Sequence, residues 1–414
     1  MLGSEKTLHA VDLCGLSPAP HIVVGVTSHQ TCMVLTGRLK TLREAGFRVT
    51  LVSSPGDLLD RLAQREGVES FAVPMNRGIT PLDDLVSFMR LWRLLRRLKP
   101  DISEFSTPKA GLLGNLAARL AGVPRRVYML RGLRLETATG LKRRILLTAE
   151  RISARCAHVV LCNSASLRVK AIALRVAPIG KLQLLGTGSS NGVDIERFCP
   201  GRSDLRERLN LPANAPVLGF VGRLTEDKGL ADLIDAFDLI LESKQGAYLL
   251  LVGWFDASED ALNAQLRARI ENHPRIICTG YLENTAPCYR AMDLLVLPTW
   301  REGFPNVVLE ASATGIPVIT TLSTGARDAV VPEVTGLLIP PGYPEAICEA
   351  VLKLLRDPER CRLMGAAARS WVIEHFVNEH ILGLTCAFYK SLVRPPSDKA
   401  AHRAASMDSV LPLP

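Results

Sequence analysis

Two α/β domains, each a doubly wound parallel sheet covered by helices on both faces, are the architecture this sequence predicts. Three observations lead there. Short runs of Val, Ile and Leu alternate with segments of helical period along the chain, the pattern of strands buried on both faces. The alternation occurs twice, on either side of a stretch rich in Gly, Ser, Asn, Asp and Pro at 186–216. A chain of 414 residues also exceeds what one core usually organises.

In chain order, strands are expected at Ile22–Val26, Val49–Ser53, Ile102–Ser106, Val127–Leu130 and His158–Cys162 in the first half. The second half offers Val217–Val221, Tyr248–Val252, Arg275–Thr279, Leu294–Leu297, Pro317–Thr320 and Leu337–Ile339. Helical spacing of apolar residues marks Thr36–Ala45, Leu85–Leu98, Gly111–Ala121, Leu230–Leu241, Asp260–Asn272, Val307–Thr314 and Pro344–Leu355, with Ala366–Phe376 and Glu379–Leu392 closing the chain. The expected layout is an N-terminal extension at 1–20, domains at 21–190 and 191–370, helices at 371–393 returning to the first domain, and a disordered tail at 394–414. Open parallel sheets bind ligands beyond the carboxyl ends of their strands, so two in tandem place a cleft between them.

Composition narrows the class. Hydrophobic residues at 47% and charged residues at 22% exclude disordered and fibrous chains. The ten cysteines are scattered, without C-x-x-C pairs or zinc spacing, and read as reduced thiols of a cytoplasmic protein. The first twenty residues lack a basic-then-apolar leader, and no apolar run approaches 18 residues. The net charge of +9 is unevenly placed: residues 86–155 hold sixteen Lys/Arg against four Asp/Glu. Such a stretch suits an anionic partner, or is a solvated basic face. Nucleic acid is not expected, because neither aromatic–basic interleaving nor zinc-finger spacing accompanies the charge.

Two segments carry chemistry. Gly222-Arg223-Leu224-Thr225-Glu226-Asp227-Lys228-Gly229 follows the strand Val217–Val221 and precedes a helix, so Arg223 and Lys228 share a strand-end loop suited to a diphosphate. Thr299-Trp300-Arg301-Glu302-Gly303-Phe304-Pro305-Asn306 leaves the strand Leu294–Leu297 and enters another helix. Gly303 and Pro305 keep Glu302 outside that helix, while Glu310 lies about one turn within it. A negative leaving group is stabilised at such a helix start.

With EGFPNVVLE, the downstream ASATGIPVITT and VTGLLIPPG, and TPKAGLLGNLAARLAGVP and GTGSSNGVDIERF in the first half, the chain resembles the family-4 retaining glycosyltransferases of the GT-B fold. The family's mark is Glu-x7-Glu, here Glu302 to Glu310, and the likeness runs from about residue 20 to about 392. The resemblance implies two Rossmann-like domains facing across a cleft and a nucleotide-sugar donor, expected as a UDP-hexose or UDP-N-acetylhexosamine. It further implies no cofactor and no metal, with Arg223 and Lys228 gripping the diphosphate and Glu302 facing the donor sugar. Backbone N–H groups of Phe304, Asn306 and Val307 would hold sugar hydroxyls and phosphate, and Glu310 the ribose. Catalytic roles fall to Glu302, Arg223 and Lys228. The acceptor implied is a polyprenyl-diphosphate-linked sugar or glycan of a bacterial capsule, exopolysaccharide or O-antigen.

A sugar-nucleotide epimerase of similar architecture would need other acidic and histidine residues. A silent binding subunit would be expected to lack the donor contacts. Both fit the two motifs less well.

The pattern departs in three places. Relatives carry His-Gly after the strand ending near position 130, where this chain has Arg131-Gly132, and an arginine cannot shuttle protons but can bind a phosphate or carboxylate. The first loop reads Gly25-Val26-Thr27-Ser28-His29-Gln30 without paired glycines, and Thr324-Gly325-Ala326-Arg327-Asp328 replaces a Gly-Gly-Glu type segment. His29, Lys109 and Arg131 are therefore the acceptor-side candidates. Basic rims at Arg90, Arg93 and Arg97, and at Lys142, Arg143, Arg144, Arg151 and Arg155, lie beside apolar helical stripes. They suit an anionic membrane surface, with the protein peripheral on the inner face of the cytoplasmic membrane.

Overall fold

Strand β1 (His21–Gly25) is buried along its whole length, and its alternate residues serve different cores. Ile22 and Val24 enter one apolar cluster with Leu51 and Leu39, whereas Val23 enters another with Val52 and Phe105. A strand that buries both faces belongs inside a sheet covered on both sides, which is why its sequence is continuously apolar. The computed structural model describes residues 19–393 apart from 77, 79, 244–245 and 257–259. The expected tail at 394–414, and the expected N-terminal extension but for its last two residues, lie outside the described residues.

The first sheet continues with β2 (Arg48–Ser53), β3 (Glu69–Ala72), β4 (Ile102–Ser106), β5 (Arg125–Leu130), β6 (Val159–Cys162) and β7 (Leu182–Leu184). Its order is β3-β2-β1-β4-β5-β6-β7, and every pairing is parallel. The second sheet contains β8 (Val217–Val221), β9 (Tyr248–Val252), β10 (Ile276–Cys278), β11 (Leu294–Leu297), β12 (Val318–Thr321) and β13 (Gly336–Ile339). It is ordered β10-β9-β8-β11-β12-β13 and is likewise parallel. Strand order reverses between β1 and β4 and between β8 and β11, so each domain opens a crevice there. The two Rossmann-like domains of the expected fold are present.

Some elements escape the periodicity. Edge strands β3 (ESFA) and β7 (LQL) are short and partly polar, and an edge needs no continuous apolar run. The helix expected over Thr36–Ala45 is present over Arg38–Glu44, and a 3-10 turn, His29–Leu35, that the periodicity does not mark precedes it. Gly37 separates them at φ +77, a left-handed conformation open to glycine. Glu66 caps the second piece, accepting hydrogen bonds from the Gly37 and Lys40 N–H groups at 2.9 and 3.0 Å.

The 370/371 division expected between the second domain and the returning helices falls inside one unbroken helix, Pro358–His375. Beyond it, the chain crosses back beside its outgoing path. The Val193 N–H donates to the Phe376 carbonyl at 2.8 Å, and the Asn378 N–H to the Val193 carbonyl at 3.0 Å. The last helix, Asn378–Val393, lies against Arg38–Glu44. Its buried Tyr389 donates to Glu104 of β4, which is ion-paired with the equally buried Arg38. Removing Glu104 alone would strand a buried guanidinium at a cost of about 3–5 kcal/mol.

Glu150 in the Gly140–Cys156 helix is also buried, and accepts a 2.6 Å hydrogen bond from the Tyr128 hydroxyl. Burial pushes its carboxyl from 4.5 to about 7, against the opposing pull of that hydrogen bond. The folded chain therefore keeps a proton that the unfolded chain releases in this window, and stability falls as pH rises through it. Glu150→Gln keeps an acceptor for Tyr128 and carries no charge. Thermal unfolding should show its melting temperature raised by about 2–4 °C at pH 8, with the gap closing near pH 5.

Candidate active site

The loops that leave β8 and β11 meet because a glycine lets them. Gly229 adopts φ +73, and a Cβ there would lie 2.1 Å from the Pro298 carbonyl oxygen. That approach brings Lys228 onto the Glu302 loop, where its ammonium is ion-paired with the Glu302 carboxylate and both side chains are largely buried. Asp227 locks the arrangement. Its backbone carbonyl accepts from the Trp300 N–H at 3.0 Å, and its buried carboxylate from the Thr225 hydroxyl at 2.7 Å. Arg301 lies 2.8 Å from the same carboxylate and Arg223 3.9 Å. Burial would raise the Asp227 carboxyl, but Lys228, Arg301, Thr225 and Arg223 outweigh it and hold it below the usual range. Arg223 is further held by Asp256 at 2.8 Å.

The first domain supplies the opposite wall. Arg131 and Gly132 follow β5 and pack on the second domain so closely that a Cβ on Gly303 would sit 2.2 Å from the Arg131 carbonyl oxygen. Arg301 donates to the Thr137 hydroxyl at 3.0 Å, and the Thr324 hydroxyl to Glu136 at 2.7 Å. Asp328 accepts from the Ser166 N–H at 3.1 Å, while the Gly325 N–H donates to the Ser166 hydroxyl at 2.8 Å. The divergent 324–328 segment is thus a strap between the domains.

Between these walls lies a cavity of about 190 Å³. Arg131, Arg134, Arg223, Lys228 and Arg301 line it with Asp227 and Glu302, five cationic side chains against two acidic ones. Such a balance suits a ligand bearing more than one negative charge.

The expected site residues divide. Arg223, Lys228, Glu302 and Arg131 line this cavity. Asn306 and Val307 open the Asn306–Thr314 helix, whose first N–H groups lack intrahelical partners, and the Asn306 side-chain oxygen is buried without a hydrogen bond. The Phe304 ring is core, 5.3 Å from Phe376. Glu310 lies outside the cavity further along the helix, accepting from the Tyr289 hydroxyl at 2.7 Å. Burial raises the Glu310 carboxyl, and that hydrogen bond partly offsets the effect.

Lys109 is committed elsewhere: its ammonium is ion-paired with Asp84 and donates to the Gly78 carbonyl, tying two helix starts together. His29 is stacked over Gly56, 3.7 Å from Asp57, and does not line the cavity. Sequence reasoning passed over Asp227 and Arg301 as binding elements although they adjoin Lys228 and Glu302 in the motifs. Asp256 and Tyr289 carried no local signal at all.

Two family models match the chain: "Glycosyl transferase 4-like domain" over residues 35–188 and "Glycosyl transferases group 1" over 215–357. The chain is 34% identical over 375 residues to the capsular polysaccharide biosynthesis glycosyltransferase CapM of Staphylococcus aureus, covering 90% of this chain and 98% of that protein. It is 29% identical to the UDP-Gal:alpha-D-GlcNAc-diphosphoundecaprenol alpha-1,3-galactosyltransferase of Escherichia coli, covering 80% and 85%. In fold it matches Anabaena HepE in complex with UDP-glucose at a TM-score of 0.73 and 20% identity, covering 89% of this chain and 99% of that one. Together the matched domains, the capsular relative and the shared architecture show that this chain belongs to the family-4 (group 1) glycosyltransferases of the GT-B fold.

Proposed function

We propose that this glycosyltransferase moves a hexose or N-acetylhexosamine from a UDP-linked donor, with retention and without a metal ion, to a polyprenyl-diphosphate-linked or glycan acceptor in bacterial surface polysaccharide synthesis. The observation that carries the reading is the Lys228–Glu302 pair at the floor of a cation-lined cavity. In the working complex Arg223 and Lys228 offset the charge on the departing diphosphate, the service a divalent ion gives elsewhere. Glu302 faces the donor sugar and stabilises its oxocarbenium-like transition state. The bond from the anomeric carbon to the β-phosphate oxygen breaks while the acceptor hydroxyl attacks from the same face, its proton passing to the leaving phosphate. The names of the capsular and diphosphoundecaprenol-sugar relatives support this substrate class. The first test offers the purified protein a panel of nucleotide sugars, with and without a polyprenyl-diphosphate sugar, in EDTA. Transfer from one UDP-sugar that needs the lipid acceptor is expected; turnover only with added divalent metal would reject the metal-free mechanism.

The same reading places the enzyme on the inner face of the cytoplasmic membrane. No helix among the described residues is long and apolar enough to cross a membrane. Leu82 is 81% exposed and Leu141 72%, each beginning a helix of the basic stretch, and Ile145, Arg143 and Arg144 are exposed beside Leu141. At about 1 kcal/mol per charge near an anionic surface, Arg143→Ala with Arg144→Ala should weaken vesicle binding about 30-fold. Flotation with phosphatidylglycerol vesicles at low salt measures it, and no binding by the parent protein would remove the membrane from the proposal.

A further inference from the structure

The guanidinium of Arg131 is only half used. Its Nη1 donates to the Ser190 hydroxyl at 2.9 Å, and Ser190 is itself held by the Asn163 amide at 2.9 Å. Its Nε and Nη2 are buried and have no hydrogen-bond partner. Those two N–H groups lie on the same edge of a guanidinium, so together they form the side-on fork that takes two oxygens of one carboxylate or phosphate. The fork is not a by-product of a nearby ion pair. Arg38, the neighbouring buried arginine, is balanced by Glu104, whereas no carboxylate pairs with Arg131 among the described residues. Burial and the Arg38 charge lower the Arg131 pKa to about 10 against the pull of the Glu104 carboxylate, which leaves it cationic at neutral pH. A buried cation without an ion-pair partner of its own costs stability, and an unpartnered fork on a residue that lines the cavity gives that cost a use.

We propose that the open fork of Arg131 is an oxyanion subsite on the acceptor side of the cavity, with Ser190 as its positioning residue. It would hold a phosphate of a lipid-diphosphate sugar or the carboxylate of an acidic sugar while the donor diphosphate occupies Arg223 and Lys228 on the facing wall. The inference rests on the glycosyltransferase reading above but is tested apart from turnover.

The protein is saturated with UDP, filling the donor side, and titrated by calorimetry with inorganic pyrophosphate and, separately, with methyl glucuronide. One of the two should bind; pyrophosphate identifies a phosphate source and glucuronide a carboxylate source. Arg131→Lys, which keeps the charge but loses the fork, should weaken that binding at least 10-fold, and Ser190→Ala about 3-fold, with UDP affinity changed less than 2-fold. Arg131→Met should melt higher than the parent, because it removes a buried charge without an ion-pair partner of its own; an arginine kept only for structure would make it melt lower. The proposal is overturned if neither probe binds the UDP-saturated protein, if Arg131→Lys binds as the parent does, or if it is UDP affinity that falls. Absence of glycosyl transfer with every donor would instead defeat the proposed function and leave this binding result standing.

Discussion

Glu302→Gln is expected to bind UDP within a few-fold of the parent and to lose transfer by about 10²–10³ in kcat. The substitution keeps size and hydrogen-bonding reach while removing the charge proposed to face the donor sugar, so the loss should appear in turnover rather than in nucleotide affinity. Lys228 is ion-paired with Glu302 and, in the proposed donor complex, would turn to the diphosphate. Lys228→Ala should therefore lose both affinity and turnover. In a double-mutant cycle the two losses should be strongly non-additive, because the residues are ion-paired and are proposed to act on one transition state. Steady-state kinetics and UDP titration of the three variants measure this. If Glu302→Gln retained a tenth or more of parental turnover, Glu302 would have no part in the chemistry.

Gly303→Ala should be almost as damaging, for a different reason. The added methyl would sit 2.2 Å from the Arg131 carbonyl oxygen and 2.5 Å from its carbonyl carbon. Both are backbone atoms across the cleft, so no side-chain rotation relieves the clash, and the domains must part. Each domain keeps its own core, so the melting temperature should change little. Parting the walls by about 1 Å is enough to lower kcat about 10²-fold. Small-angle scattering should show a larger radius of gyration with UDP bound than the parent has. Parental activity in this variant would mean that the contact between Arg131 and Gly303 is not needed for catalysis.

Much of this protein can be read without coordinates. Continuous apolar strands such as β1 and β11 announce a sheet covered on both sides, and the two strand-end loops GRLTEDKG and EGFPNVVLE announce the candidate site. Those are local signals: period, glycine and proline placement, and charge within eight residues. They fail at β3 and β7, where an edge position tolerates polar residues.

What the sequence by itself determined is therefore the fold class, the family and the two strand-end loops that meet at the candidate site. The tertiary structure alone decided which charges meet. Sheet order sets β8 beside β11, and that adjacency lets Lys228 reach Glu302 and lets Asp227 gather Arg223 and Arg301. In the first domain the fold brings Lys109 to Asp84 and His29 to Asp57, leaving Arg131 as the acceptor-side candidate that lines the cavity. The reason is physical: a strand's hydrophobic period depends on its own residues, whereas an ion pair depends on residues from loops that only the order of strands brings within 4 Å.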